Sequence, residues 1–348
     1  MGTSQSWVVV GLDNGGTSNN ATVLDASGRF LVDRLVETAS FVQQGPDVAL
    51  SALASALSNV LELTGTARSA VRAVGFDTPG PASADGVISS KGATNFFDPA
   101  WNGFDFRSAL QDRLQLPVVY NNDGNAAALY AHHKFFGARA MHESSVSAIV
   151  GTGLGGGVVV AGDVVRGVAG MAGELGHVHI PMDGLLEPGQ PLPECNCGFS
   201  GDAESVASLK GIEKNLLPYW LGRYPDHELN AMASVGQAAK LVRSYAENQD
   251  PLALRVFEQQ AIALGRLFTI AANFTDPSAY FLGGGVVETT PELRTWFLAT
   301  VRAHTVLRDE QDRLTTLTLV PDLDMAGARG SAIAALESVD DISELAIS

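Results

Sequence analysis

The sequence predicts a mixed α/β protein of two domains, and three observations carry that expectation. The chain has 348 residues, 46% of them hydrophobic, which is more than one small core requires. A strand-turn-strand plan with a glycine-rich turn occurs twice. Apolar runs of strand length alternate with longer stretches of helical period, and the second half is richer in helix.

Trp7-Val-Val-Val-Gly-Leu12, Ala21-Thr-Val-Leu24 and Phe30-Leu-Val32 read as three antiparallel strands joined by tight turns at Asp13-Asn-Gly-Gly-Thr17 and Asp25-Ala-Ser-Gly28. An amphipathic helix follows from about Asp47 to Leu63, then a strand from Val71 to Phe76, a polar loop, a helix from about Asp105 to Leu114, and a strand from Pro117 to Tyr120. The opening plan then repeats. Ala148 to Val150, the turn Gly151-Thr-Gly-Leu-Gly-Gly-Gly157, Val158 to Val160 and Val164-Val165 suggest an internal duplication. Beyond residue 200, helices are expected at Asp202 to Leu217, Ser234 to Glu247 and Ala253 to Ala272, with strands at Ala279 to Leu282 and Leu314 to Val320. The proline-rich run Pro181 to Pro193 reads as a loop inserted into the second domain.

A net charge of -16 and a pI near 4.7 repel nucleic-acid backbones and anionic membranes, so small molecules are the expected partners. The only two cysteines, Cys195 and Cys197, are one residue apart, too close for a useful structural disulfide. Reduced thiols point to a reducing compartment, and a cytoplasmic protein is expected. No apolar run approaches the roughly 20 residues of a membrane span, and Met1 to Ser6 lack the pattern of a signal peptide.

Asp13, Gly15, Gly16 and Thr17 suit phosphate chemistry. The glycines admit backbone N–H groups to phosphate oxygens, and the carboxylate holds Mg²⁺ through water; an ordinary hairpin remains the plain alternative. Five glycines between Gly151 and Gly157 exceed what a turn needs, which favours a ligand near Gly151, Thr152 and Gly153. Gly283, Gly284 and Gly285 form a third such loop, on the adenosine side of a nucleotide. Asn121-Asn-Asp-Gly-Asn125 precedes a helix expected from about Ala126. It is either an Asx-rich cap or the seat of a catalytic carboxylate, Asp123. An aspartate can serve as base because the hydroxyl proton leaves late, once the oxygen is committed to phosphorus.

These motifs, with Thr78-Pro-Gly-Pro81, Gly170-Met-Ala-Gly-Glu-Leu-Gly-His177, Cys195-Asn-Cys-Gly198 and Gly327-Ala-Arg-Gly330, occur in an order that resembles the ROK family of sugar kinases and repressors. The resemblance covers nearly the whole chain. It implies an actin-like ATPase (ribonuclease H-like) fold with a duplicated βββαβαβα core, one domain over residues 1–120 completed by the helix 328–348, and another over 121–327, with a cleft between them. By resemblance Asp123 is the base, Asn122 and Glu174 bind sugar hydroxyls, His177 bridges sugar and metal, and Asn95 and Gly80 lie on the substrate side.

The family's structural zinc is held by one His and three Cys. Here His177, Cys195 and Cys197 match, and Asp202 stands at the third cysteine. A carboxylate can ligate zinc, with His179 or Glu204 as substitutes, so Zn²⁺ is expected beside ATP and Mg²⁺. Ser18 follows Gly-Gly-Thr where the family usually has lysine, which leaves more of the phosphate charge to Mg²⁺ and backbone amides. His132 and His133 are expected to be an exposed pair, and Trp101 and Trp220 packing anchors. The resemblance favours phosphorylation of a hexose, glucose before others, with amino sugars and seven-carbon cyclitols in play, ATP preferred over polyphosphate as donor, and a homodimer. A DNA-binding repressor is disfavoured because only six residues precede Trp7; a non-catalytic sugar sensor is disfavoured by Asp123, and a chaperone-type ATPase by Glu174 and His177.

Overall fold

The computed structural model describes residues 7–80, 82–88 and 96–339. In chain order the strands and helices are β1 (Val8–Asn14), β2 (Ser18–Asp25), β3 (Glu37–Ala39), α1 (Pro46–Thr64), β4 (Val71–Thr78), α2 (Phe106–Leu114), β5 (Val118–Asn122) and α3 (Asp123–Phe136). Then come β6 (Ser145–Val150), β7 (Leu154–Val160), β8 (Asp163–Val164), α4 (Glu204–Ala207), α5 (Leu209–Gly211), α6 (Leu217–Arg223) and α7 (Val235–Glu247). The last are α8 (Pro251–Thr275), β9 (Ala279–Gly284), α9 (Pro291–Ala303), α10 (Asp309–Leu314), β10 (Thr316–Leu319) and α11 (Leu323–Glu337). Two compact units divide the chain: Met1–Ser144 with Gly157–Gly173 and Val320–Ser348, and Ser145–Gly156 with Glu174–Leu319. The first unit therefore extends past residue 121, where the sequence reading drew a boundary, because α3 packs along α11.

The first unit is built on a five-stranded sheet of order β3-β2-β1-β4-β5. β1 is antiparallel to β2 and parallel to β4, which is parallel to β5. The two-residue period of a strand sorts the side chains. Val8, Val10 and Leu12 of β1 and Val74 and Phe76 of β4 join Leu50, Leu53 and Leu57 of α1, Phe106 and Trp101 in one buried cluster. The alternate positions meet α11. A Cβ on Gly11 or Gly75 would run into the Ala328 and Ser331 carbonyls, so glycine on the strands is what lets the helix backbone lie against the sheet. The same alternation carries Asp13 and Asp77 to the α11 face.

In the second unit, β6 and β10 flank β9 in parallel, within a sheet of order β10-β9-β6-β7-β8. The chain passes from the second unit into the first within β7. The long helix α8, buried over most of its length, carries α7 and α9. Trp220 donates its indole N–H to Gln259 at 2.9 Å and Trp101 donates to the Val42 carbonyl at 2.9 Å; both rings are buried, as packing anchors should be.

Four local expectations are corrected. The third strand is Glu37–Ala39, not Phe30 to Val32. Phe30 makes only an isolated bridge to Leu24, the Asn20 carboxamide oxygen takes the Val36 N–H at 3.1 Å, and ladder pairing resumes at Glu37. Helix α3 starts at Asp123, three residues before Ala126, because Asn122 alone caps it. The helix expected from Asp202 to Leu217 breaks at Ser208. There the Leu209 and Lys210 N–H groups donate to the Gly151 and Thr152 carbonyls, at 3.0 and 3.1 Å. His132 and His133 are buried, not exposed. His132 Nε2 lies 2.8 Å from the Ala140 carbonyl of the turn that follows α3, and His133 Nε2 lies 3.1 Å from Glu337 Oε1 on α11.

Candidate active site

β1, β4 and β5 are parallel, so their carboxyl ends coincide, the usual place for a ligand in an open α/β sheet. Asp13 and Asp77 are register partners near those ends, and Thr78 pairs with Asn122. Asn122 Oδ1 accepts the Gly124 N–H at 2.8 Å and the Asn125 N–H at 3.4 Å, closing the first turn of α3. Asp123 is thereby the first helical residue, and its side chain is exposed. A carboxylate there is favoured by the helix dipole. Gly80 backs onto Asn122, since a Cβ on it would lie 3.0 Å from Asn122 Nδ2. Asn95, and Pro81 of the preceding turn, lie outside the described residues.

Asp77 was not legible as a site residue, although an aspartate closing an otherwise apolar strand was a signal. It is fully buried, and its Oδ2 accepts the Ser331 hydroxyl of α11 at 2.7 Å. Among the described residues its Oδ1 has no hydrogen-bond donor. Burial raises the Asp77 carboxyl well above the ordinary carboxylate range, and the charges of Asp13 and Asp123 raise it further. Burial also raises Asp13, but its hydrogen bond with Asp77 pulls the other way. Both carboxyls are thus pushed up, Asp77 the more strongly. Gly327 leaves room beside Asp13: a Cβ there would sit 2.9 Å from Asp13 Cγ. The turn after Asp13 closes by a 2.9 Å bond from the Gly15 N–H to the Ser18 carbonyl, leaving Thr17 exposed and Gly15 and Gly16 half-buried.

In the second unit, β6 and β9 end together, Val150 opposite Gly284, which brings the loop from Gly151 beside Gly283, Gly284 and Gly285. Gly151 and Thr152 are exposed, and a Cβ on Gly151 would meet nothing, so packing does not require glycine there. Gly156 differs, as a Cβ would strike the Ser147 carbonyl. Glu204 Oε2 accepts the Leu154 N–H at 2.9 Å and presses on Gly153. This role of Glu204 was missed in the sequence because it depends on a contact 50 residues away.

Glu174 caps a short 3-10 turn, Leu175–His177, that His177 ends. Burial raises the half-buried Glu174 carboxyl, with His177 opposing. The ligand atoms of His177, Cys195, Cys197 and Asp202 all lie within 4.8 Å of one another. Asp202 Oδ2 is 3.3 Å from His177 Nδ1 and 3.6 Å from Cys197 Sγ, and Cys195 Sγ is 3.8 Å from His177 Nδ1. Tetrahedral zinc with bonds of about 2.0–2.3 Å puts its ligands roughly 3.3–3.8 Å apart, so this set fits the ion. Asp202 is wholly buried, and its hydrogen bond lifts the His177 imidazole to about 9, the mark of a buried carboxylate calling for a cation. His179 and Glu204 do not join the cluster; Glu204 instead links Cys195, 3.5 Å away, to the glycine loop.

A model of the ROK family matches residues 9–338. The glucokinase of Halalkalibacterium halodurans is 33% identical over 289 residues, 81% of each chain. Among solved structures, the ROK hexokinase from Thermus thermophilus superposes with a TM-score of 0.73 at 30% identity, covering 96% of this chain and 99% of that one. The ROK glucokinase from Streptomyces griseus, in complex with glucose and AMPPNP, gives 0.67 at 27% identity, covering 95% and 99%. With two five-stranded sheets and the actin-like ATPase fold of these neighbours, the chain belongs to the ROK family.

Proposed function

We propose that this ROK protein, an ATP-dependent sugar kinase, phosphorylates glucose at a primary hydroxyl with Asp123 as the base. The observation that carries the reading is the place of Asp123, exposed at the first turn of α3 and set by the Asn122 cap at the carboxyl ends of parallel strands. Asn122, Gly80, Glu174 and His177 have substrate-side roles, and Asn95 is proposed as another sugar contact. The Asp13–Thr17 turn, the loop from Gly151 to Gly153 and Gly283–Gly285 bind nucleotide. Asp13 would hold Mg²⁺, and His177, Cys195, Cys197 and Asp202 would hold Zn²⁺.

Asp123 orients the sugar hydroxyl and takes its proton as the oxygen bonds to phosphorus. The Gly151 N–H is held by the Gly153 carbonyl at 2.9 Å, so the amide of the exposed Thr152 donates to phosphate oxygens, replacing water where Ser18 offers no cation. Mg²⁺, when bound with ATP, supplies neutralisation of the phosphate charge. The zinc ligands pin the Glu174–His177 turn and, through Glu204, the glycine loop. No helix among the described residues is long and apolar enough to cross a membrane, and we place the enzyme in the cytoplasm as a homodimer.

A coupled ADP-release assay with Mg-ATP against hexoses, amino sugars and cyclitols tests the reading. Turnover of glucose above the other sugars, lost in Asp123→Asn, is expected. Preference for an amino sugar or a cyclitol overturns the glucose assignment, and unchanged turnover in the variant overturns the base.

A further inference from the structure

One cavity is lined by residues other than Asp123. Within the first unit, a space of about 440 Å³ opens between the segment after β2, the second half of α3 and the middle of α11. That volume falls in the roughly 300–1,000 Å³ range of small-molecule sites. Arg329 forms its floor. The residue is 8% exposed, and its guanidinium lies 5.1 Å from the Phe30 ring centre and 5.3 Å from that of Tyr130. Its Nη1 donates to Tyr130 Oη at 2.5 Å and to Asp322 Oδ2 at 2.8 Å, and Tyr130 donates to the same carboxylate oxygen at 2.7 Å.

These bonds fix the guanidinium without satisfying it. Among the described residues the buried Arg329 Nε–H has no acceptor. At the rim, Arg29 commits its Nε to Asp25 at 3.2 Å and keeps the rest of its fork exposed, and Lys134 makes no ion pair among the described residues. Against these donors stand Asp33 in the lining and one carboxylate oxygen on each arginine, from Asp25 and from Asp322. Each of those bonds takes a single guanidinium nitrogen, which leaves the rest of the exposed Arg29 fork and the Lys134 ammonium to a ligand. A planar guanidinium held rigid by ring stacking, with a second fork and an ammonium at the mouth, recognises a compact group with several anionic oxygens.

We propose that this cavity binds a small phosphomonoester, its phosphate taken by Arg29, Lys134 and Arg329 and its organic body laid against Phe30. The helix that carries Arg329 also presents Gly327 to Asp13 and Ser331 to Asp77, so occupation bears on the carboxylates at the strand ends. Any effect on turnover rests on the kinase reading; the binding itself does not.

The test is a calorimetric titration of the full chain, saturated with AMPPNP and glucose, using inorganic phosphate, glucose 6-phosphate and uncharged sorbitol. Glucose 6-phosphate should bind the wild type, and the double variant Arg29→Ala/Lys134→Ala should lose at least tenfold in affinity. Both side chains are exposed, so the fold is not at stake. Phosphate binding as tightly as the ester, with the same loss in the variant, supports free phosphate as the source; tighter binding of the ester supports recognition of the organic body. No binding by the wild type, equal affinity in the double variant, or equal binding of sorbitol overturns the proposal. Because heat is read without turnover, a failed kinase reading leaves this outcome legible.

Discussion

The two units position their polar groups by different means. In the first, Asp13, Asp77, Asn122 and Asp123 stand on or directly after strands, and their orientation follows from the pleat, the parallel register and one helix cap. In the second, Glu174, His177, Cys195, Cys197 and Asp202 occupy the stretch between β8 and α4, whose fixed geometry comes from side-chain bonds and the cluster around Asp202. Backbone ladders tolerate the loss of one side chain. A knot of side chains around a buried carboxylate does not.

The sharpest break in that comparison is functional in one unit and structural in the other. Asp123→Asn should lower kcat by about 10³-fold, within the 10²–10⁴ typical of a general base, while circular dichroism and melting temperature stay unchanged because the Asn122 cap is intact. Cys195→Ser should do the reverse. Bound zinc, read by mass spectrometry, should fall from about one ion per chain to near none, and melting should drop by about 4 °C, on the order of 3 kcal/mol for a chain of 348 residues. An Asp123→Asn protein that melts early, or a Cys195→Ser protein that keeps its metal, would erase the contrast.

His132 sharpens the first half. Burial lowers its imidazole from 6.5 to about 4, so the folded protein refuses a proton that the unfolded chain accepts. Stability from this group is complete above pH 6.5 and is lost as pH falls from 6.5 towards 4, in total about 3 kcal/mol. Urea unfolding at pH 7.5 and 5.0 should show a smaller acid loss in His132→Gln than in the wild type. Equal losses would mean that the ring is solvated.

How much of this was legible in the sequence follows the same division. The parallel core, α1, α2, α7 and α8 obey local periodicity and caps, and the glycine loops and Asp123 stand out by residue type. The misreadings depend on partners far along the chain. The Ser208 break needs the Gly151 and Thr152 carbonyls, the burial of His132 and His133 needs the turn after α3 and the arrival of α11, and the third strand is displaced by an Asn20 side-chain bond. The glycine run was half legible. Gly151 is open to a ligand, whereas Gly156 is required by packing, and composition alone does not separate the two.

Asp77 gives the finest test of the ladder-built site. If its carboxyl is neutral, the direction in which burial and the neighbouring charges push it, an amide of the same shape should replace it: donated N–H for O–H to Asp13, retained carbonyl for the Ser331 hydroxyl. Asp77→Asn should then keep kcat/KM within about threefold of wild type and leave the Mg²⁺ dependence in place. Asp13→Asn removes the charge itself and should raise the Mg²⁺ needed for half-maximal rate by more than about tenfold, roughly 1.4 kcal/mol. Ser331→Ala leaves Asp77 Oδ2 without its donor and should cost about 1–2 kcal/mol of stability in urea. If Asp77→Asn is as damaging as Asp13→Asn, the proton sits on Asp13 and the charge is buried beneath α11, and the order of roles along the β1–β4 register is the opposite of the one drawn here.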